Sequence, residues 1–519
     1  MIRPSEYLSR YVMCLAPGVT VGLVTLIFHL IIGITHGGPV AVPDVSAYLS
    51  VPQWIYGGIL PDDLAFHPGY GLLLAPWGWL SGEQLHSVAL LTNGFLAACC
   101  VPLAVRFAVT LGANRQIQWL TASLVAVFSA LSSGSRIAWP ETLIIALLLG
   151  TALLIQREDW RRAGALVGLG LAVHPRLAVL VASLILLALT HRRTLVPVLQ
   201  GLLPTSFATA GVLTVTGTWQ FMRVSSATSF DNSSNAVATL MGQWLAFVGA
   251  TGGLAALGLG SALAAIPRQR RCDMKAFLAL SALGMFLLGG WTLAGSARVD
   301  TLLYGRYIAP WTLCLALVGL VALSKSQVGR FASSATVAVT GIALIVCLAA
   351  VSETFEPSRR IMTLELGILW SLFDNRLVPI LTVAAALGII GILSIKRGML
   401  ISTFLLIAVS VSSTWVNHQH LHKVGQISQG QVTAAKALPE ATTCLAHDSS
   451  SKHYAMWLYR LELPAVQHQR LDLSAGSTPC GSYVIADIDA LKSCEGAQMI
   501  IQEPRASWGL WQYPSEGCG

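Results

Sequence analysis

The sequence predicts a mainly α protein: a polytopic bundle of about thirteen transmembrane helices with a small soluble domain at its C-terminal end. Three observations predict it. The chain is 54% hydrophobic and only 11% charged, whereas soluble domains carry about a quarter charged residues. Its mean hydropathy is +0.67. Apolar runs able to cross a bilayer, roughly 20 residues each, recur from Tyr11 to Val416. From Asn417 the pattern stops, dividing the chain into a membrane part, 1–416, and a soluble part, 417–519.

The first apolar run follows Arg3 and Arg10, is long, and lacks a small-residue cleavage site, so it reads as a membrane helix with a cytoplasmic start. Helices are expected near 11–34, 84–108, 117–133, 141–156, 163–173, 177–190 and 195–216. Six more follow near 237–266, 275–295, 307–324, 331–351, 377–395 and 398–416. The pair at 163–190 is too short for two full crossings at 1.5 Å per residue. It predicts a hairpin whose tip, His174-Pro175-Arg176, stops within the membrane thickness, where broken helices line cavities.

A net charge of +8 raises the question of nucleic acid, but its distribution answers it. The basic residues fall in alternate short loops: Arg106 with Arg115, Arg157 with Arg161 and Arg162, Arg192-Arg193, Arg268 to Lys275, Lys325 with Arg330, and Lys396-Arg397. This is the positive-inside bias. It places the intervening loops, including the one with Asp44, on the outer face. An odd helix count then puts the tail outside too. The tail has strand-like pieces at 482–486 and 498–501 and four cysteines, Cys444, Cys480, Cys494 and Cys518. In an oxidising compartment these read as two disulfides with three pairings open. The other six cysteines lie in or beside apolar spans and read as small core residues.

Candidate chemistry gathers in the outer loops. Val42-Pro43-Asp44-Val45-Ser46-Ala47-Tyr48 follows the first helix, and Asp62-Asp63 precedes the stretch Phe66 to Pro76 with His67 and Tyr70. A carboxylate at the membrane surface can take a proton from a hydroxyl or hold a cation; loop solvation is the plain alternative. Glu141, in Ala138-Trp139-Pro140-Glu141-Thr142, opens a helix, where the dipole alone favours an acid. Asp300 to Pro310 contains Tyr304-Gly305-Arg306-Tyr307. An arginine there can snorkel, or its planar fork can clamp a phosphate. Arg176 and Arg298 are further clamps of the same kind.

Together these residues resemble the GT-C class of integral-membrane glycosyltransferases, which use polyprenyl-phosphate-linked sugars. The likeness rests, in order, on Asp44 with Tyr48, on His67 to Pro76, and on Tyr304 to Pro310, and spans the membrane part. The soluble tail is similar to those of actinobacterial cell-envelope members. Many members place a second acid directly after the first; here Val45 stands there, so a second carboxylate comes from Asp62, Asp63 or Glu141, or is absent. The resemblance implies sugar transfer on the outer face from a polyprenyl-phosphate sugar to a glycan, glycolipid or protein acceptor. Asp44 is then the general base and Glu141 the second catalytic acid. Tyr48, Asp62, Asp63, His67, Tyr70, His174, Arg176, Arg298, Tyr304, Arg306 and Tyr307 are the substrate-binding set.

No certain cofactor is implied, and a divalent metal stays open. The sequence contains no Walker loop and no His-Glu-x-x-His helix. Two rival classes are a lipid or solute transporter, which predicts repeated halves and mid-membrane charges, and a non-enzymatic envelope assembly factor working through the tail.

Overall fold

In the computed structural model the described residues are 4–40, 42–61, 67–190, 192–217, 233–266, 273–294, 299–328, 330–351, 357–394 and 400–514. The candidates Asp62, Asp63, Arg298 and Cys518 lie outside them. Each of the thirteen expected apolar stretches is helical over most of its described length. Among these residues six helices are long and apolar enough to cross a membrane, three more spans are bent pairs, and three apolar helices are shorter.

Helix α1 (Pro4–Ile34) packs lengthwise on α3 (Gly82–Thr110). Its buried stripe of Gly18, Gly22, Thr25, His29 and Gly33 has helical spacing, and the small residues let the two backbones approach closely. The intervening α2 (Val42–Ile55) corrects one expectation: Asp44 sits in the first turn of a helix, not in a loop. A proline followed by an acid is a helix-start pattern, since proline needs no N–H donor there and the acid complements the dipole.

The stretch 163–190 is, as anticipated, two short helices broken at His174-Pro175-Arg176. After α4 (Glu141–Gln156), α5 (Trp160–Val173) connects to α6 (Ala178–Thr190) through a single 3-10 turn at Pro175–Leu177. A second break, between Asn235–Gly249 and Leu254–Ala265, turns the chain by 105°. Gly252 and Gly253 make it with φ of +52° and +82°, a region L side chains avoid.

In the later part of the bundle, α7 (Ala309–Ser324) follows the Arg306 turn, and α8 (Leu400–Gln429) is the last helix before the sheet. Helix α8 continues past Val416, so the compositional change at Asn417 falls inside it. Beyond lies a five-stranded mixed sheet of β1 (Cys444–Asp448), β2 (Gln467–Leu471), β3 (Tyr483–Asp487), β4 (Gln498–Gln502) and β5 (Trp508–Gln512). Their order is β2-β1-β3-β5-β4, with β1 parallel to both neighbours and β5 antiparallel to both of its own. The crossover helix α9 (His453–Glu462) presses Leu458 and Tyr459 into one apolar cluster with Val42, Ala47 and Val51 of α2. Cys444 and Cys480 form a disulfide, and Cys494 is disulfide-bonded as well.

This packing sets the two ends of the bundle. The sheet sits on the end that carries Asp44, Glu141 and the start of α7. At the other end Lys325, just past α7, donates to Leu111 O after α3 at 2.7 Å, near the basic loops at Arg115 and Arg157.

Candidate active site

Four helix starts and turns, distant in sequence, bring their charges together beneath the sheet. Arg306 is the hub. Its backbone N donates to Met362 O at 3.0 Å and Ile308 closes a turn on Gly305, so the side chain leaves from a fixed bend. Its Nη1 donates to Asp44 Oδ2 at 2.5 Å and its Nε to Glu141 Oε1 at 2.6 Å. Arg176 Nη2 reaches the same Glu141 oxygen at 3.1 Å. The Arg176, Arg306 and Glu141 side chains are 2, 5 and 7% exposed, and Asp44 is 18% exposed. Asp44 is thus the member of the cluster most open to solvent.

Two guanidiniums and two carboxylates balance, and at such burial removing one partner would leave an uncompensated charge. Yet the cluster is not saturated. Arg306 Nη2, Arg176 Nε and Nη1, and Glu141 Oε2 are buried without a hydrogen-bond partner. Unpaired guanidinium N–H groups on two arginines that share one carboxylate oxygen are donors of the kind a phosphate's oxygens accept.

Aromatic and imidazole groups brace it. The Arg306 guanidinium stacks 3.7 Å from the Trp139 ring centroid, and Arg176 lies 5.2 Å from that of Tyr307. Tyr307 packs edge-on against Tyr304 at 4.9 Å and against His174 at 6.3 Å. His174 Nδ1 accepts from Arg176 N at 3.2 Å and so caps the hairpin turn. His67 pairs through Nδ1 with Leu171 O at 2.6 Å, tying its loop to the same hairpin.

The structure brings together Asp44, Glu141, Arg176, His174, Arg306 and Tyr307. Tyr48 and Tyr70 stand behind them, 1 and 0% exposed and edge-on to each other at 5.5 Å. Tyr70 OH donates to Asn93 Oδ1 at 3.1 Å. Asn93 in turn donates to Ile137 O and Trp139 O, fixing the turn that launches Glu141. Asn93 carried no local signal, being one amide within an apolar helix.

Glu365 was missed as well. It is 5% exposed, its Oε2 is unpartnered, and with Glu141, Arg306, Trp139, Ser133 and Thr142 it lines a narrow cavity behind Arg306. A Cβ at position 305 would stand 2.8 Å from that oxygen, so Gly305 makes room for it. The signal available was an acid in the apolar run before 377, at the outer end of a span. Among the described residues no three His, Cys, Asp or Glu side chains converge as a metal-binding set.

Comparison with solved structures identifies the architecture. The crystal structure of ArnT from Cupriavidus metallidurans bound to undecaprenyl phosphate matches at a TM-score of 0.56 and 14% identity, covering 96% of this chain and 98% of that one. The same protein's apo state matches at 0.51 and 14%, covering 97% and 98%. The chain has the GT-C fold. The arabinosyltransferase EmbB from Mycobacterium smegmatis is more distant, at 0.43 and 12% identity, covering 93% of this chain and 45% of that one. No protein-family model and no curated protein matches the sequence. The fold anticipated from three short motifs and their sidedness is therefore the one found, over nearly the whole chain.

Proposed function

We propose that this protein is a membrane glycosyltransferase that moves a sugar from a polyprenyl-phosphate donor to an acceptor hydroxyl on the outer face. Cell-envelope glycan or glycolipid synthesis is its setting. The observation that carries the reading is the unsaturated Asp44–Arg306–Glu141–Arg176 cluster at the sheet-covered end of a GT-C bundle. That a solved structure of this fold, ArnT, holds undecaprenyl phosphate supports the donor class. The charge alternation supports an outer location for the site and for the tail from Asn417.

The geometry suggests an order of events. The donor phosphate accepts from Arg176 Nε and Nη1 and from Arg306 Nη2, and an anion there competes with Asp44 for the Arg306 guanidinium. Asp44 is then released to the acceptor. As the bond from the anomeric carbon to the phosphate oxygen breaks, the acceptor oxygen bonds to that carbon and its proton passes to Asp44. The lipid phosphate leaves with the electron pair, its charge met by the two arginines rather than by a proton. Glu141 keeps both guanidiniums in place, and Glu365 offers its free oxygen to a sugar hydroxyl.

The test is transfer from a polyprenyl-phosphate sugar by the full chain in liposomes. Asp44→Asn keeps size and most hydrogen bonds but loses the base. Its transfer should fall about 10²- to 10⁴-fold, with donor binding nearly unchanged. Near-parental turnover in that variant would sink the assignment. Asp44→Asn is expected to lose more than any Asn variant of Asp62 or Asp63.

A further inference from the structure

A second cation, Arg136, is buried at the same end of the bundle in a different environment. Its segment, residues 129–141, is buried throughout and runs beside α8, with Ser132 Oγ 2.9 Å from Thr414 Oγ1. Arg136 is 7% exposed. Its Nη1 donates to Thr35 O, just past α1, at 2.7 Å and to His422 Nδ1 of α8 at 3.4 Å. Unlike Arg306 and Arg176, it has no carboxylate within ion-pair distance among the described residues.

Capping the end of α1 accounts for Nη1, but Nε is buried without a partner, and among the described residues Nη2 makes no hydrogen bond, both bonds of this side chain being through Nη1. These two N–H groups form the side edge of a guanidinium. They point in parallel, and that edge takes two oxygens of one oxyanion. Around it stand imidazoles: His29 and His418 are 0 and 9% exposed with all four ring nitrogens unpartnered, and both His418 and His422 lie on α8. A charged guanidinium at a membrane edge, with its bidentate face unfilled and no acid beside it, lacks a counter-anion.

The flanks are apolar and exposed. Ile27, Ile31 and Ile34 of α1 are 57, 59 and 73% exposed, and Trp415 of α8 is 66% exposed. The oxyanion available at that depth is a phosphate. We infer that Arg136, between α1 and α8, binds a phosphate group through Nε and Nη2, at a site separate from the Arg306 cluster. Its source is a lipid head group or free phosphate. The inference is independent of the reading of the Arg306 cluster.

The experiment is titration of the delipidated full chain with dodecyl phosphate, followed by ³¹P NMR, with dodecanol and inorganic phosphate as the other probes. Hydrogen bonds to a charged group contribute enough that losing them weakens binding about ten- to a hundredfold. Arg136→Gln should lose one class of dodecyl phosphate site by that factor, while Arg306→Gln leaves it intact. Arg136→Lys, which keeps charge but not the parallel edge, should fall between parent and Gln. Inorganic phosphate displacing the alkyl phosphate at equal concentration would name free phosphate as the source; failure to displace it would name a lipid. Either keeps the site. A parental titration in Arg136→Gln, or equal binding of dodecanol, would overturn it. If Arg136→Gln does not fold, the Lys variant decides: parental binding there reduces Arg136 to a cap on α1.

Discussion

Two buried carboxylates, Glu141 under the sheet and Glu503 within the soluble part, are equally hidden and differently occupied. Glu503 is 0% exposed and both its oxygens are taken, by Thr433 N and Oγ1, by Ala434 N and by Tyr459 OH. It ties the turn after α8 to the crossover helix. Glu141 grips two arginines with one oxygen and leaves the other, with three arginine N–H groups nearby, unfilled. Buried polar groups are normally satisfied. One carboxylate is therefore complete as a structural anchor, and the other keeps an unpaired oxygen, which fits the proposed role of its cluster as a ligand site.

The comparison breaks most directly at the hub. Arg306→Ala should cut sugar transfer by about 10²- to 10³-fold, the scale of losing a preorganised charge donor. Arg306→Lys should cut donor affinity less, because it keeps the charge and loses only the fork. If both bind donor like the parent, Arg306 is an anchor of the Glu503 kind and Arg176 becomes the phosphate ligand.

Glu365 sharpens it. If its free oxygen meets a sugar hydroxyl, Glu365→Gln should weaken transfer about ten- to a hundredfold, on the scale of one charged hydrogen bond. Thermal stability should be unchanged, since no protein partner is lost at Oε2. A drop in melting temperature with unchanged transfer would make Glu365 structural.

Glu503→Gln should do the reverse. An amide cannot accept from all four donors, so about 1–3 kcal/mol of stability goes, while transfer per folded molecule stays parental. Calorimetry beside the liposome assay reads both. Equal losses in transfer and stability would erase the distinction between the two carboxylates.

The smallest effect is a pH dependence confined to the soluble part. His447 Nε2 and His468 Nδ1 share a hydrogen bond at 2.9 Å. Burial holds His447 well below the ordinary imidazole value and pushes His468 down from 6.5 to about 4. Both rings are neutral folded and unfolded above pH 6.5. As pH falls below it the unfolded chain binds protons that the folded domain refuses, so stability should drop as pH falls from 6.5, with the His468 contribution levelling below about 4. His468→Gln should flatten that slope in a melting series; an unchanged slope would assign it to other groups.

How much of this was legible in the sequence follows from how local each signal is. Hydropathy and basic-loop alternation are properties of short windows, and they determined the membrane class, the helices, the short hairpin at His174-Pro175-Arg176 and the separate character of the tail. The motifs around Asp44, Glu141 and Arg306 were readable because helix starts and turns constrain residue types locally. What those residues do to one another was not. Arg306 meets Asp44 across 262 positions and Glu141 across 165, and no window contains both partners. Asn93 is a lone amide in an apolar helix, and Glu365 and Arg136 stand in short mixed segments without a motif, indistinguishable there from incidental polar residues. Only the tertiary structure decided which polar atoms end up buried, and which of those stay unpaired. In a low-dielectric interior an unpaired polar group is costly, and that cost is a property of the assembled fold.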